Sequence, residues 1–317
     1  MRGTAGGRED GSAVLDLGGM RLRVLDGGTF RLDGATLYGI LPKVFWEKKN
    51  RPDEDNRVLL ASSPLLVEGP FGKVVIDPGI GSGWGPRAVD RYALQGQRSL
   101  AEMLGEADTD PGEVKALIAT HLHFDHVAAA VLPPQETAED LSPREWAEQL
   151  TGDLEPALPS AALFVQEEEV RAALQPDLRT AAFVAPAVCT AYEQAGRLAR
   201  VMGDDEPFPG VRLERTGGHT PGHQVVWLEG SERTVLMPGD MVPTTTHLRG
   251  EVQEGMDHQP SRTASAKAGL LSRLVATRGY MTFYHAPRVL WARVLSGPSG
   301  SYQLEEIQTA APTSLRG

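Results

Sequence analysis

The sequence predicts a mixed α/β domain in which short strands dominate both halves and helices lie between them. Three observations carry that expectation. Apolar and polar residues alternate in short runs along the chain, the pattern of half-buried strands. Between those runs lie stretches with helix-start signals and helical apolar spacing. Glycine (35) and proline (23) are both frequent, which suits many turns and argues against a helical bundle. No repeat and no compositional break marks a linker, so residues 13–308 are expected to form one domain between flexible tails at 1–12 and 309–317.

Residues 13–32 alternate and are interrupted by Gly18-Gly19 and Gly27-Gly28, which predicts hairpin strands. Residues 37–50 are irregular. Strands are expected at 58–67 and 73–76, joined by a turn at 69–72, the second stopped by Asp77-Pro78-Gly79. Residues 99–104 suit a helix. Asp110-Pro111-Gly112-Glu113 is a helix-start or turn signal before an apolar run at 114–119. Asp125 is placed to cap a helix continuing through 127–132. Further helices are expected at 142–150, Glu167–Leu174, 187–199 and 261–275, and strands at 162–165, Val211–Arg215, 224–228, Thr234–Met237 and 280–284. The last of these runs straight into His285.

Bulk properties narrow the function. With 41% hydrophobic and 23% charged residues, the chain of 317 is long enough to bury a large core. A net charge of -11 repels phosphate backbones, so nucleic acid is not an expected partner. No run approaches the roughly 20 apolar residues of a membrane span. Residues 1–12 lack the apolar stretch of a secretory signal, and the expected setting is cytoplasmic. Cys189 stands alone, which excludes an intrachain disulfide and a thiolate metal cluster; it is expected to be a packing residue.

The chemistry concentrates in Thr120-His121-Leu122-His123-Phe124-Asp125-His126. Imidazoles and carboxylates are the donors that zinc and similar cations take. Alternate residues of an extended loop point the same way, so His121 and His123 can share one ion. Asp125 and His126 lie on the following turn and aim elsewhere, which favours a second ion. A histidine-rich surface loop is the plain alternative, but it would not bring partners with it. Here the partners are Gly218-His219-Thr220-Pro221-Gly222-His223, Pro238-Gly239-Asp240 and Tyr284-His285, each at or near a predicted strand end. Of eight histidines, six fall in these motifs.

On these residues the chain resembles the metallo-β-lactamase-fold hydrolase superfamily, with spacing most like its lactonase and methyl-parathion-hydrolase branch. The resemblance implies a four-layer αβ/βα sandwich with metals at one edge. It implies that His121, His123 and His219 hold one ion, that Asp125, His126 and His285 hold the other, and that Asp240 bridges them. Two divalent ions would be the cofactors, zinc first, with manganese or iron as alternatives. Asp125, Asp240 and a bridging hydroxide would offset three of the four positive charges, and the remainder favours an oxyanion in the transition state. The implied reaction is attack of that hydroxide on a small ester, lactone or phosphoester, with Asp125 and Asp240 as the catalytic carboxylates. A mononuclear-iron sulfur dioxygenase and a glutathione-thioester hydrolase share the fold. Two zinc or manganese ions would separate hydrolysis from the first. The second needs a basic cluster that the sequence does not display.

The resemblance also implies that Asp77 supports the metal loops. His223 is expected to be structural, and His247 and His258 to be surface histidines on a flexible segment, with Asp257 able to orient His258. Phe45, Trp46, Phe124 and Tyr284 are equally candidates for pocket wall or core, Phe124 foremost because it sits between ligands. Characterised lactonases place a tyrosine shortly after the bridging aspartate. Here the stretch is Met241-Val242-Pro243-Thr244-Thr245-Thr246, whose threonines could supply a hydroxyl instead. The segment between His126 and His219 is expected to shape the pocket or a homodimer contact.

Overall fold

The computed structural model describes residues 14–132 and 154–310; the helix expected over 142–150 lies outside them. Two seven-stranded sheets form the centre. The first contains β1 (Val14–Asp16), β2 (Arg21–Val24), β5 (Leu65–Gly69), β6 (Gly72–Ile76), β7 (Val114–Ile118), β8 (Ala162–Gln166) and β9 (Leu198–Val201), in that spatial order. The second runs in chain order from β10 (Asp205–Phe208) through β11 (Val211–Arg215), β12 (Gln224–Glu229), β13 (Thr234–Met237), β14 (Tyr280–Thr282) and β15 (Val289–Ser296) to β16 (Tyr302–Thr309). Pairing is parallel from β6 to β9 and between β13 and β14, and antiparallel elsewhere.

Alternation along the strands sets the layers. Val74, Ile76, Ala116 and Ile118 of the first sheet meet Val226, Leu228, Val235 and Met237 of the second in a central core. The intervening Val75 and Leu117 point outward, where they pack with residues of the helices Leu100–Glu106, Glu167–Leu174 and Pro186–Gln194. On the opposite side Val225, Trp227 and Leu236 pack under Leu270, Leu271 and Leu274 of the helix Pro260–Ala276. The order helix, sheet, sheet, helix is the sandwich that the motifs implied.

Several elements depart from the expectations for identifiable reasons. The run 58–67 is two strands, because Pro64 has no N–H for a ladder and the chain changes sheets there. Its first half, β4 (Arg57–Ala61), pairs with β3 (Thr29–Asp33) in a separate two-stranded ribbon, so β3 is not a hairpin partner of β2. The helix expected to 199 ends at Gln194, followed by Gly196 at φ 68, a left-handed stop. The chain then forms β9. Asp125 is not a cap: His123 occupies that position, and the short helix Phe124–Val127 carries Asp125 in its first turn, buried. The strand at 280 stops at Thr282. The final hairpin β15–β16 has no clear signature in the sequence, because β16 is mostly exposed and rich in Gln and Glu, which hides its alternation. It runs to Thr309, one residue into the expected tail. Among the described residues no helix is long and apolar enough to cross a membrane.

Candidate metal centre

The loops that follow β6, β7, β11, β13 and β14 converge at one edge of the sandwich. At the end of β6, Asp77 adopts φ 47 and is fully buried. Its Oδ1 accepts from the Thr120 N–H at 2.7 Å, and its Oδ2 accepts from the Thr120 hydroxyl at 2.7 Å and from His126 Nδ1 at 2.8 Å. One carboxylate therefore fixes both the start and the end of the histidine motif.

Neighbouring acceptors set the tautomers. Thr120 gives its hydroxyl proton to Asp77, so its oxygen accepts from His121 Nδ1–H at 3.0 Å. His126 donates Nδ1–H to Asp77. His219 donates Nδ1–H to Asp257 at 2.8 Å, and His285 donates Nδ1–H to the Ala61 carbonyl at 2.8 Å. Four Nε2 lone pairs are thereby left facing inward, and all four face Asp240. Oδ2 lies 3.6 Å from His121 and 3.4 Å from His219, and Oδ1 lies 3.3 Å from His126 and 3.4 Å from His285. His123 Nδ1 sits 3.1 Å from His219 Nε2, and Asp125 Oδ2 is 3.4 Å from His285 Nε2. The donors fall into two groups, His121, His123, His219 and Asp240 on one side and Asp125, His126 and His285 on the other. All seven are buried.

Such a set has more acceptor pairs than protons. The Nε2 atoms of His126 and His285 are 3.0 Å apart although both rings have spent their Nδ1 protons elsewhere. Burial, and then the surrounding imidazoles, holds His121 and His123 well below the usual histidine range, in the neutral form a cation needs. Burial lowers His126 too, but Asp240, Asp77 and Asp125 outweigh it and raise it well above that range. A field that draws a proton into that gap also draws a cation. The chemistry of the donors therefore fits divalent metal.

The approach of Asp240 depends on Gly239, at φ 51; a Cβ there would lie 2.8 Å from His223 Nε2 and 2.8 Å from Thr120 Oγ1. His223 itself stays outside both donor groups. Its Nδ1 pairs with the Thr216 hydroxyl at 2.7 Å, closing the loop between β11 and β12. Asp257 orients His219 rather than His258. The His258 ring is partly buried between Thr180 (3.2 Å) and Asp177 (3.3 Å), while its backbone N–H donates to the His219 carbonyl at 3.0 Å. Glu254, also buried, places a carboxylate oxygen 3.2 Å from His219 Nδ1. Burial, then Asp240, Asp257 and Asp125, pushes that carboxyl well above the carboxylate range. Nothing in the sequence marks Glu254, because a lone acid on a loop carries no pattern.

A small cleft opens onto the donors, walled by Leu32, Leu37, Leu60, Phe124, Phe183 and Met256. Phe124 is thus wall, whereas Phe45 is exposed and Tyr284 stacks behind His126 at 4.3 Å. Trp46 supports the wall indirectly: it stacks on Tyr38 at 4.6 Å, and Tyr38 stacks on His247 at 5.3 Å. His247 is no surface residue. Its Nε2–H donates to the Leu37 carbonyl at 2.8 Å and its Nδ1 accepts from the Thr244 hydroxyl at 2.9 Å. The Thr246 hydroxyl accepts from Asn50 at 2.6 Å. Both threonine hydroxyls are therefore engaged in holding the wall.

Burial is the first cause that lowers the His247 pKa from 6.5 to about 4. The unfolded chain thus binds a proton that the native ring refuses, so this histidine's stabilisation is present above 6.5 and is lost as pH falls toward 4. A shift of that size corresponds to about 3 kcal/mol. His247→Gln should flatten the fall in unfolding free energy between pH 6.5 and 4, followed by urea titration; a slope equal to wild type in that window would contradict the assignment.

A family model described as the metallo-beta-lactamase superfamily matches residues 57–279. The chain belongs to that superfamily, and its sandwich carries a histidine–aspartate cluster that could hold metal. Among curated proteins it is 25% identical over 154 residues to the N-acyl homoserine lactonase AiiA of Bacillus thuringiensis subsp. kurstaki, an alignment covering 48% of each chain. The chain thus spans about half the length of the curated relatives it matches. Among solved structures, a probable metal-dependent hydrolase from Staphylococcus aureus superposes with a TM-score of 0.76 at 22% identity, covering 92% of this chain and 99% of that one. AidC, described as a dizinc quorum-quenching lactonase, gives 0.72 at 15% identity, covering 94% and 98%. At these identities the superpositions establish the fold.

Proposed function

We propose that the protein is a dinuclear metallo-hydrolase of small, uncharged esters, lactones or phosphoesters. In this reading His121, His123 and His219 hold one ion, Asp125, His126 and His285 hold the other, and Asp240 reaches both. The observation that carries it is the ring of four Nε2 lone pairs around Asp240, each with its Nδ1 proton already committed. Divalent cations, zinc first, would lower the pKa of a water toward neutrality and polarise a carbonyl or phosphoryl oxygen.

The chain's own residues supply the rest. Asp240, with one oxygen toward each donor group, sets their spacing. Asp125 adds negative charge beside His285, leaving a net positive field when both ions are present. The apolar wall excludes water and takes an apolar portion of the substrate. Among the described residues the cleft is lined by no lysine or arginine, which disfavours the glutathione-thioester alternative and its carboxylates. Two assembled donor groups favour hydrolysis over a mononuclear-iron oxygenase. The lactonase names of the relatives make lactones the first substrates to test, followed by aryl esters and phosphotriesters. Metal analysis of purified protein should give two ions per chain, and the screen should give turnover that a chelator abolishes and zinc restores. Two ions bound with no ester-class turnover would sink the reading.

A further inference from the structure

The two metal-binding loops that meet at the first donor group are joined by a residue that touches no donor. Glu169 lies in the first turn of the helix Glu167–Leu174, directly after β8, and is only 3% exposed. One carboxylate oxygen accepts from the N–H of Leu122, the residue between His121 and His123, at 3.0 Å. The other accepts from the Thr220 hydroxyl at 2.6 Å and the Gly222 N–H at 2.9 Å, both in the loop that carries His219. Gly222 is required for that approach, since a Cβ there would lie 2.2 Å from the Glu169 nitrogen. A buried carboxylate is costly unless hydrogen bonds compensate it, and here three do.

We infer that Glu169 is a positioning residue for the first ion: its carboxylate clamps the His121–His123 loop to the His219 loop and so sets how far the His219 imidazole stands from the other two. The inference rests on the ligand reading above. Glutamine is the discriminating replacement. It has nearly the same volume, but its amide offers one acceptor oxygen, so its NH2 must face a donor in one of the two loops. That loop is left with an unsatisfied buried N–H or hydroxyl.

The test is a zinc titration of the metal-free protein against a chromophoric chelator, with His285→Ala used to isolate the first site and His219→Ala to isolate the second. In the His285→Ala background, Glu169→Gln should weaken zinc binding about 10–100-fold, the range for losing a group that orients metal ligands. In the His219→Ala background it should change affinity less than about twofold. A general structural defect would weaken both sites and lower the unfolding midpoint of the metal-free protein. First-site affinity equal to the parent in Glu169→Gln overturns the inference, as does equal weakening of both sites. If Glu169→Gln does not fold, Thr220→Val decides, because it removes one of the three donors: a first-site loss supports the clamp, and unchanged affinity overturns it. If wild type takes up fewer than two zinc ions, the ligand reading has failed instead, and the titration shows that before any variant is made.

Discussion

Asp240→Ala should purify with little bound metal and lose activity on the order of a thousandfold. The carboxylate faces both donor clusters, with one oxygen 3.4 Å from His219 and the other 3.4 Å from His285. In the proposed two-ion reading, removing it would leave buried cations without the anion between them, a class of change that costs about 3–5 kcal/mol, equivalent to roughly two to four powers of ten. Elemental analysis and turnover of whichever ester the screen identifies are the two readouts. Asp240→Asn keeps the volume and should lose nearly as much, because an amide supplies no charge. Wild-type metal content in either variant would show that the two groups of donors do not depend on a shared carboxylate.

Asp77→Ala should destabilise the metal-free protein by about 4 kcal/mol or more. Three buried donors, the Thr120 N–H, the Thr120 hydroxyl and His126 Nδ1–H, would lose their acceptor, at roughly 1–3 kcal/mol each. Alanine at φ 47 adds strain that aspartate and asparagine tolerate better. Asp77→Asn separates the two effects. It keeps the turn, yet its NH2 must face either Thr120 or His126, so stability should fall less while zinc affinity drops about 10–100-fold. Urea unfolding and chelator competition measure the two quantities. An Asp77→Ala protein that unfolds like wild type would remove Asp77 from any supporting role.

The donors could be read from the sequence because each lies at or near the end of a predicted strand, and a strand followed by a histidine or aspartate is a local pattern. The structure brings His121, His123, Asp125, His126, His219, Asp240 and His285 to one place. What the pattern could not reveal is how side chains act across distance. Asp257 lies beside His258 in the chain, and adjacency suggested that pair, yet its carboxylate reaches His219. His247 looked like a loop histidine because its partners, Leu37 and Thr244, include one more than two hundred positions away. Glu169 reads as an ordinary acid at the start of a helix, where negative charge is favourable anyway. On the fold side, strands with one clean apolar face were legible, and β16, with little apolar face, was not.

The ribbon of β3 and β4 and the short helix Gly34–Tyr38 after β3 carry Leu32, Leu37 and Leu60, half of the apolar wall, but none of the seven donors. The superfamily match begins at residue 57, so β3 and the helix precede it while β4 falls inside it. Half of the wall therefore lies in a stretch that supplies none of the seven donors, while Phe124, Phe183 and Met256 bring the rest from the segments around them. On the hydrolase reading proposed above, diversifying residues 30–46 would reshape part of that wall without replacing any of the seven donors.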